Sequence, residues 1–230
     1  MTNKKRSIIS LIIKAVLSMA AFNGILLSFL QSGDLKTRVF LFFTIQSNLW
    51  IGALAVLCFI LLTIDMALRK PTNRRWLNVL SLILTVSILI TGFVFVFVLV
   101  PTMDSGAWSI ANILTHVVTP LVALVDFFFS QRKIKFQKWD FLFSNTPLAY
   151  YLVFSICGFF LKWNYGNGNH YPYFFLNFAS PIGLFGFSMD YPFEMGSFYW
   201  ILVILLFASG LSLLLQWLAN KIIKREGNNG

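Results

Sequence analysis

The sequence is short of charge. Only 11% of its 230 residues are Asp, Glu, Lys or Arg, and just 8 of them are acidic. A soluble domain carries roughly 25% charged residues. That deficit excludes a soluble enzyme, a coiled coil and a disordered tail. Two cysteines and two histidines are too few and too scattered for a structural metal site, and no metal is expected. Cys58 and Cys157 fall at different membrane depths in the spans described below. They read as small buried hydrophobes, not as a disulfide. The chain lacks a phosphate-binding glycine loop and a dinucleotide fingerprint, so no cofactor is expected. It also lacks repeats, low-complexity stretches and linkers, which leaves one domain over residues 1–230.

Apolar sequence is abundant. Hydrophobic residues make up 58% of the chain, and 26 of them are Phe. Long apolar runs occur near 8–30, 39–64, 77–100, 108–130, 141–162 and 197–219. A bilayer needs about 20 apolar residues per helix. The expected fold class is therefore all-α, a polytopic membrane protein with six transmembrane helices. The first run has no small-residue cleavage site and five more runs follow it, so it reads as a retained helix.

The net charge of +10 raises the question of an acidic partner. Its distribution answers that question. Fourteen of the 18 Lys and Arg flank the spans on one side: Lys4, Lys5, Arg6, then Arg69, Lys70, Arg74, Arg75, then Arg132, Lys133, Lys135, Lys138, then Lys221, Lys224, Arg225. Lys36, Arg38 and Lys162 lie on the other side, and Lys14 lies within the first span. By the positive-inside rule both termini are cytoplasmic, as an even number of spans also requires. Trp76, Trp108, Trp139, Trp163, Trp200 and Trp217 fall near span ends, where amphipathic rings settle; only Trp50 is mid-span. The expected location is the cell membrane. The basic clusters read as anchors against anionic lipid, not as a nucleic-acid face. The sequence carries no signal for an oligomeric state.

The connection 163–196 is the long one, on the outer side. It mixes Gly166, Gly168, Pro172, Pro181, Gly183, Gly186 and Pro192 with Tyr171, Tyr173, Phe174, Phe175 and Phe178. It is too apolar for a free loop, and folds back onto the outer leaflet as a lid or as a structural cap.

Polar side chains inside the spans are expensive, which makes them informative. Asn112, Thr115, His116 and Thr119 follow i, i+3, i+4, i+7 spacing and share one face of span four. Pro120 has no N–H for the His116 carbonyl, so the backbone there needs another partner. Span two carries Thr44, Gln46, Ser47 and Asn48. At 1.5 Å per residue Thr44 lies roughly 8 Å, and His116 roughly 12 Å, below the outer boundary. A hydroxyl and an imidazole at similar depth are a candidate nucleophile and base. The plainer alternatives stand beside this. A threonine in a membrane helix commonly bonds its own backbone. His116, Asn48 and Gln46 could instead be interhelical ties. Lys14 and Asp126 lie in the inner halves of their spans. They form a structural ion pair, or Lys14 snorkels while Asp126 caps a water pocket. His170, in the outer loop, reads as interfacial.

Three strings occur in a telling order: Phe-Phe-Thr-Ile-Gln-Ser-Asn over 42–48, His-Val-Val-Thr-Pro over 116–120, and Tyr-Pro-Tyr-Phe-Phe over 171–175. Over residues 8–219 the chain resembles the androgen-induced-gene and androgen-dependent TFPI-regulating protein family, and most of all its bacterial relatives. The resemblance implies a multi-span hydrolase that cleaves esters of fatty acids with hydroxy fatty acids, with Thr44 as nucleophile and His116 as its partner. The chain departs from the animal members at Asp126, where they tend to carry Glu, and in its Gln46-Ser47-Asn48 segment.

The expected function is a membrane-embedded lipid-ester hydrolase acting on a lipid-like small-molecule substrate. Thr44 would attack and His116 would carry the proton. Asn48 is the candidate for oxyanion support, and Gln46, Asn112 and Thr119 are further polar candidates for the pocket. Thr44 is internal and lacks the α-amine used by N-terminal threonine nucleophiles, so His116 is essential to this scheme. The alternative is a non-enzymatic binder or transporter of a small amphiphile, with the polar stripes lining a pocket or passage.

Overall fold

The computed structural model describes residues 3–69, 74–103, 106–130, 135–166, 168–188 and 195–228. Lys70, Arg132, Lys133 and Pro192 lie outside these residues. Six helices are long and apolar enough to cross a membrane: α1 Lys4–Gln31, α2 Phe43–Ala67, α3 Arg75–Thr102, α4 Ile110–Phe129, α5 Asp140–Phe160 and α6 Ser197–Arg225. No strand forms among the described residues.

Most boundaries fall within a few residues of the apolar runs. The start of α2 is the exception. Residues Gly33–Leu41 form a tighter 3-10 helix, and Phe42 then turns extended, with φ −90° and ψ 138°. The α-helix begins only at Phe43. Thr44 thus sits in the first turn of α2, not several residues inside a helix that enters at Val39. Hydropathy could not show this, because residues 39–43 are as apolar as the helix that follows.

The bundle has two unlike ends. Packing between helices in lipid depends on close contact and hydrogen bonds, since lipid tails are as apolar as the side chains. At the end that carries the basic clusters, polar bonds join the helices. Lys14 Nζ lies 2.6 Å from Asp126 Oδ1, joining α1 to α4. Arg75 reaches Asp140 at 2.6 Å, joining α3 to α5. Ser144 bonds Ser212 at 2.7 Å and Asn145 bonds Ser209 at 2.8 Å, joining α5 to α6. Asn220 both accepts from the Phe136 N–H and donates to its carbonyl. At the opposite end, which carries the 163–196 loop, aromatic packing dominates. Phe43, Tyr151, Phe175, Leu176 and Trp200 form one buried cluster there.

Helix α3 is the axis. More of it is buried than of any other span. One side, with Leu84 and Ile88, meets α1, α2 and α4 through Leu17, Ile51 and Ala123. Another, with Leu82, Val86 and Ile90, meets α4 and α6 through Phe127, Ala208 and Leu215. The polar residues Thr85, Ser87 and Thr91 of α3 are buried in the interior. On α1, by contrast, Ile12, Val16, Met19, Leu26 and Leu30 are exposed at helical spacing, which is a lipid-facing stripe.

The Lys14–Asp126 pair is buried, and Lys14 Nζ also donates to Ser10 Oγ at 3.2 Å and Ser130 Oγ at 3.1 Å. Removing one member leaves an uncompensated charge in a low-dielectric site. Lys14→Met or Asp126→Leu alone is expected to cost about 3–5 kcal/mol, and the double replacement less than either. Denaturation in detergent micelles checks this. Single and double losses that simply add would show that the pair is not the cause.

Candidate functional site

The site is built where three departures from regular helix meet. The first is the start of α2. A helix N-terminus leaves backbone N–H groups without intrahelical partners. The Thr44 N–H points toward the Tyr173 hydroxyl at 3.5 Å, and Thr44 Oγ1 lies 3.4 Å from the same oxygen. Both contacts are long and weak, so neither locks the threonine.

The second departure lies in α4. Residues Leu114–Val118 form a π-turn, with the Thr119 N–H bonded to the Leu114 carbonyl. Pro120 follows immediately. The expected kink is thus taken up by one wide turn, a form common at functional sites, and His116 sits at its centre. Gly92 of α3 is what allows close approach here. A Cβ at Gly92 would lie 2.7 Å from the His116 carbonyl oxygen and 3.2 Å from the Pro120 ring.

The third departure is in α3, where Phe95–Leu99 is also a π-turn. Phe95 stacks on the His116 ring, with centroids 3.8 Å apart and planes 10° apart. His116 Nδ1 is 3.4 Å from the Thr91 carbonyl oxygen. With the proton on Nδ1, donated to that carbonyl, Nε2 keeps its lone pair for proton transfer.

A cavity of about 80 Å³ lies among these parts. Thr44 and His116 both line it. Its other polar walls are Thr91, Tyr151 and Tyr173, and the remaining lining is apolar. The Tyr151 hydroxyl is already committed, donating to the Leu41 carbonyl at 2.9 Å. The loop folds over one side of the cavity as a cap, contributing Tyr173, Phe175 and Leu176 to its wall. Tyr173 stacks on Phe175 with ring centroids 5.0 Å apart, and Phe175 and Leu176 are buried. Ser197 Oγ of α6 donates to the Asn177 carbonyl at 3.1 Å, pinning the cap. Burial raises the Tyr173 hydroxyl above its ordinary pKa, so it remains a neutral donor. Tyr165, beside it, is pushed up to about 12, first by burial and then by Tyr173.

The other candidates take other places. Asn48 does not line the cavity. Its amide nitrogen donates to the carbonyls of Thr44 at 2.8 Å and Thr115 at 3.1 Å. That uses both hydrogens, ties α2 to α4 and leaves no donor for an oxyanion at Thr44. Gln46 donates to the Phe40 carbonyl at 3.0 Å, and Asn112 to the Ala107 carbonyl at 3.0 Å. Thr119 is fully buried, and its hydroxyl has no partner. Lys14 and Asp126 line a separate cavity near the basic end. His170 Nδ1 lies 3.1 Å from the Trp163 carbonyl oxygen, within the cap. Among the described residues no three of His, Cys, Asp and Glu gather as metal ligands.

Sequence reasoning missed Thr91 and Tyr173 as site residues. Ser87 and Thr91 stand one turn apart in a run that also carries Asn78, Ser81 and Thr85, and that i, i+4 pair was the available signal for α3. Tyr173 had a weaker one, because its role depends on how an irregular loop folds back. Compared with family models, curated proteins and solved structures, the chain matches none.

The cap rests on Gly158 of α5. A Cβ there would overlap the Tyr165 hydroxyl and come within 2.9 Å of the Trp163 ring. Gly158→Ala is therefore expected to lift the start of the loop from the bundle. Limited proteolysis should then cut within 163–196 faster than in the wild type. An unchanged cleavage pattern would mean that the cap is not seated on α5.

Proposed function

We propose that this protein is a membrane-embedded lipid-ester hydrolase with an intramembrane Thr44–His116 pair. One observation carries the reading: Thr44 and His116 both line one small, mostly apolar cavity. The resemblance in the strings around Thr44, His116 and Tyr173 adds to it. In this reading the basic end faces the cytoplasm and the cap faces outward, which the positive-inside bias supports.

The chemistry follows from the parts. Thr44 Oγ1 attacks the ester carbonyl carbon while His116 Nε2 takes its proton. The Thr91 carbonyl holds Nδ1–H and so fixes the tautomer. The developing oxyanion meets the two donors nearest Thr44 Oγ1, its own N–H and the Tyr173 O–H. These replace Asn48 in that role. Collapse breaks the ester C–O bond, and His116 returns the proton to the leaving alcohol. Water then attacks the acyl-threonine and gives a proton to His116. The carboxylic acid departs as Thr44 is reprotonated. The apolar lining supports an apolar, lipid-like ester as the substrate class.

The purified protein should react covalently with a fluorophosphonate at Thr44. His116→Ala is expected to slow ester turnover by about 10²–10⁴-fold, and Tyr173→Phe by on the order of 10². Wild-type labelling that persists unchanged in both Thr44→Ala and His116→Ala would refute the mechanism. One observation favours the second reading, a binder or transporter of a small amphiphile: a second cavity lies toward the basic end. Proteoliposome flux that depends on Asp126 and survives Thr44→Ala would select it.

A further inference from the structure

A hydrolase buried in hydrocarbon must obtain water from somewhere. The Thr44–His116 cavity has apolar side walls and an aromatic cap. The second cavity, about 130 Å³, is different in kind. Its walls carry Ser10, Lys14, Asn78, Ser81, Asp126 and Ser130, among others. It begins beside Ser7, Asp65 and Arg74 at the basic end and reaches Thr85 and Ile51. Thr85 lies ten residues into α3, so the shaft penetrates roughly 15 Å. Lys14 spends its three hydrogens on Asp126, Ser10 and Ser130. The Asn78 amide nitrogen is buried without a partner. Such a lining suits neutral, hydrogen-bonding occupants, and a volume of this size holds several waters.

The gap between the two cavities is occupied in a consistent way. On α2, Thr44 lines the upper cavity and Ile51 the lower, with Asn48 between them. On α3, Thr91 lines the upper and Thr85 the lower, with Ser87 between. On α4, His116 lines the upper and Ala123 the lower, with Thr119 between. These three residues are polar and at most 1% exposed. Each also leaves an oxygen without a hydrogen-bond partner: Asn48 Oδ1, Ser87 Oγ and Thr119 Oγ1. The gap spans six or seven residues, roughly 10 Å. Three unpaired oxygens at similar register, one from each of three helices, are the kind of buried group that ordered water completes.

We propose that the lower cavity is a water-filled shaft, and that water bound by Asn48, Ser87 and Thr119 extends it to His116. The shaft supplies the hydrolytic water and exchanges protons with the cytoplasmic side. This supply role rests on the hydrolase reading; the hydration itself does not.

Two measurements separate the claims. Cys58 lines the shaft and Cys157 is exposed on α5, and neither thiol is in a disulfide. A thiol reacts as its thiolate, which requires water. In membranes carrying the Cys157→Ser protein, a charged, membrane-impermeant methanethiosulfonate applied from the basic-end side should modify Cys58. Thr85→Cys and Ser87→Cys, placed in a background of Cys58→Ser and Cys157→Ser, should react from that side too. Absence of reaction at 58, 85 and 87, with Ser7→Cys at the mouth still modified, overturns the shaft.

The second measurement tests supply. Phosphonylation of Thr44 consumes no water, whereas turnover does. Thr119→Val and Ser87→Ala should leave fluorophosphonate labelling at the wild-type rate and lower ester turnover together by about tenfold or more, one unmade hydrogen-bonded step. Thr119→Ser, which keeps the hydroxyl, should restore it. Wild-type turnover in the double variant overturns the supply route. Wild-type protein that fails to label refutes the hydrolase reading instead, and thiol reactivity then decides the shaft alone.

Discussion

Hydrocarbon offers no hydrogen bonds. That single constraint organises the molecule. Every polar group carried into a span must find its partner inside the protein, at a cost of several kcal/mol if it fails. Most of the buried polar groups accordingly collect among α1, α2, α3 and α4, where Lys14 meets Asp126, Ser47 meets Thr91 at 2.9 Å and Asn48 meets the Thr44 and Thr115 carbonyls. Helices α5 and α6 join each other through serine and asparagine bonds at the basic end, where Asp140 also ties α5 to Arg75 of α3, and aromatic packing holds the other end. The exceptions to satisfaction then acquire meaning. Three of them stand between the two cavities.

The same constraint explains the backbone of the site. Pro120 cannot return a hydrogen bond to the turn before it, and a frank kink would leave carbonyls bare in lipid. A π-turn at Leu114–Val118 redistributes the bonds instead. It widens the helix at His116, and Gly92 lets α3 fit against the widened turn. The second π-turn, at Phe95–Leu99, lies alongside and brings Phe95 flat onto the imidazole. The histidine is thus held on one face by a ring and at Nδ1 by a carbonyl. Its remaining nitrogen is the part left for chemistry.

How much of this was legible follows from the physics of each signal. Span positions are a matter of summed hydropathy, and all six runs correspond to helices. The stripe of Asn112, Thr115, His116 and Thr119 is a matter of helical period, and all but the half-buried Asn112 are buried. The start of α2 was not legible, because the end of the 3-10 helix and the extended Phe42, residues 39–42, are as apolar as the α-helix that follows. The polar candidates taken from hydropathy and spacing alone divided. Thr44 and His116 reached one cavity, while Gln46, Asn48 and Asn112 bonded carbonyls. Spacing says which residues share a face. It does not say which carbonyl claims an amide. Thr91 and Tyr173 enter through neighbouring elements, a relation no local pattern contains.

The two ends of the bundle differ in what it takes to open them. At the basic end the joints are directional: ion pairs at 2.6 Å and side-chain hydrogen bonds. Separating helices there strands charges and amides in a low-dielectric medium. At the loop end the joints are largely ring contacts, such as Phe43 with Tyr151 and Tyr173 with Phe175. An acyl chain that slides between rings replaces apolar contacts with apolar contacts and leaves no donor unpaired. In the proposed hydrolase, the low-cost approach of a lipid ester to Thr44 is therefore through the aromatic side. Water would have the opposite preference and would find its partners from the basic side. On that proposal the site meets its two reactants from opposite directions.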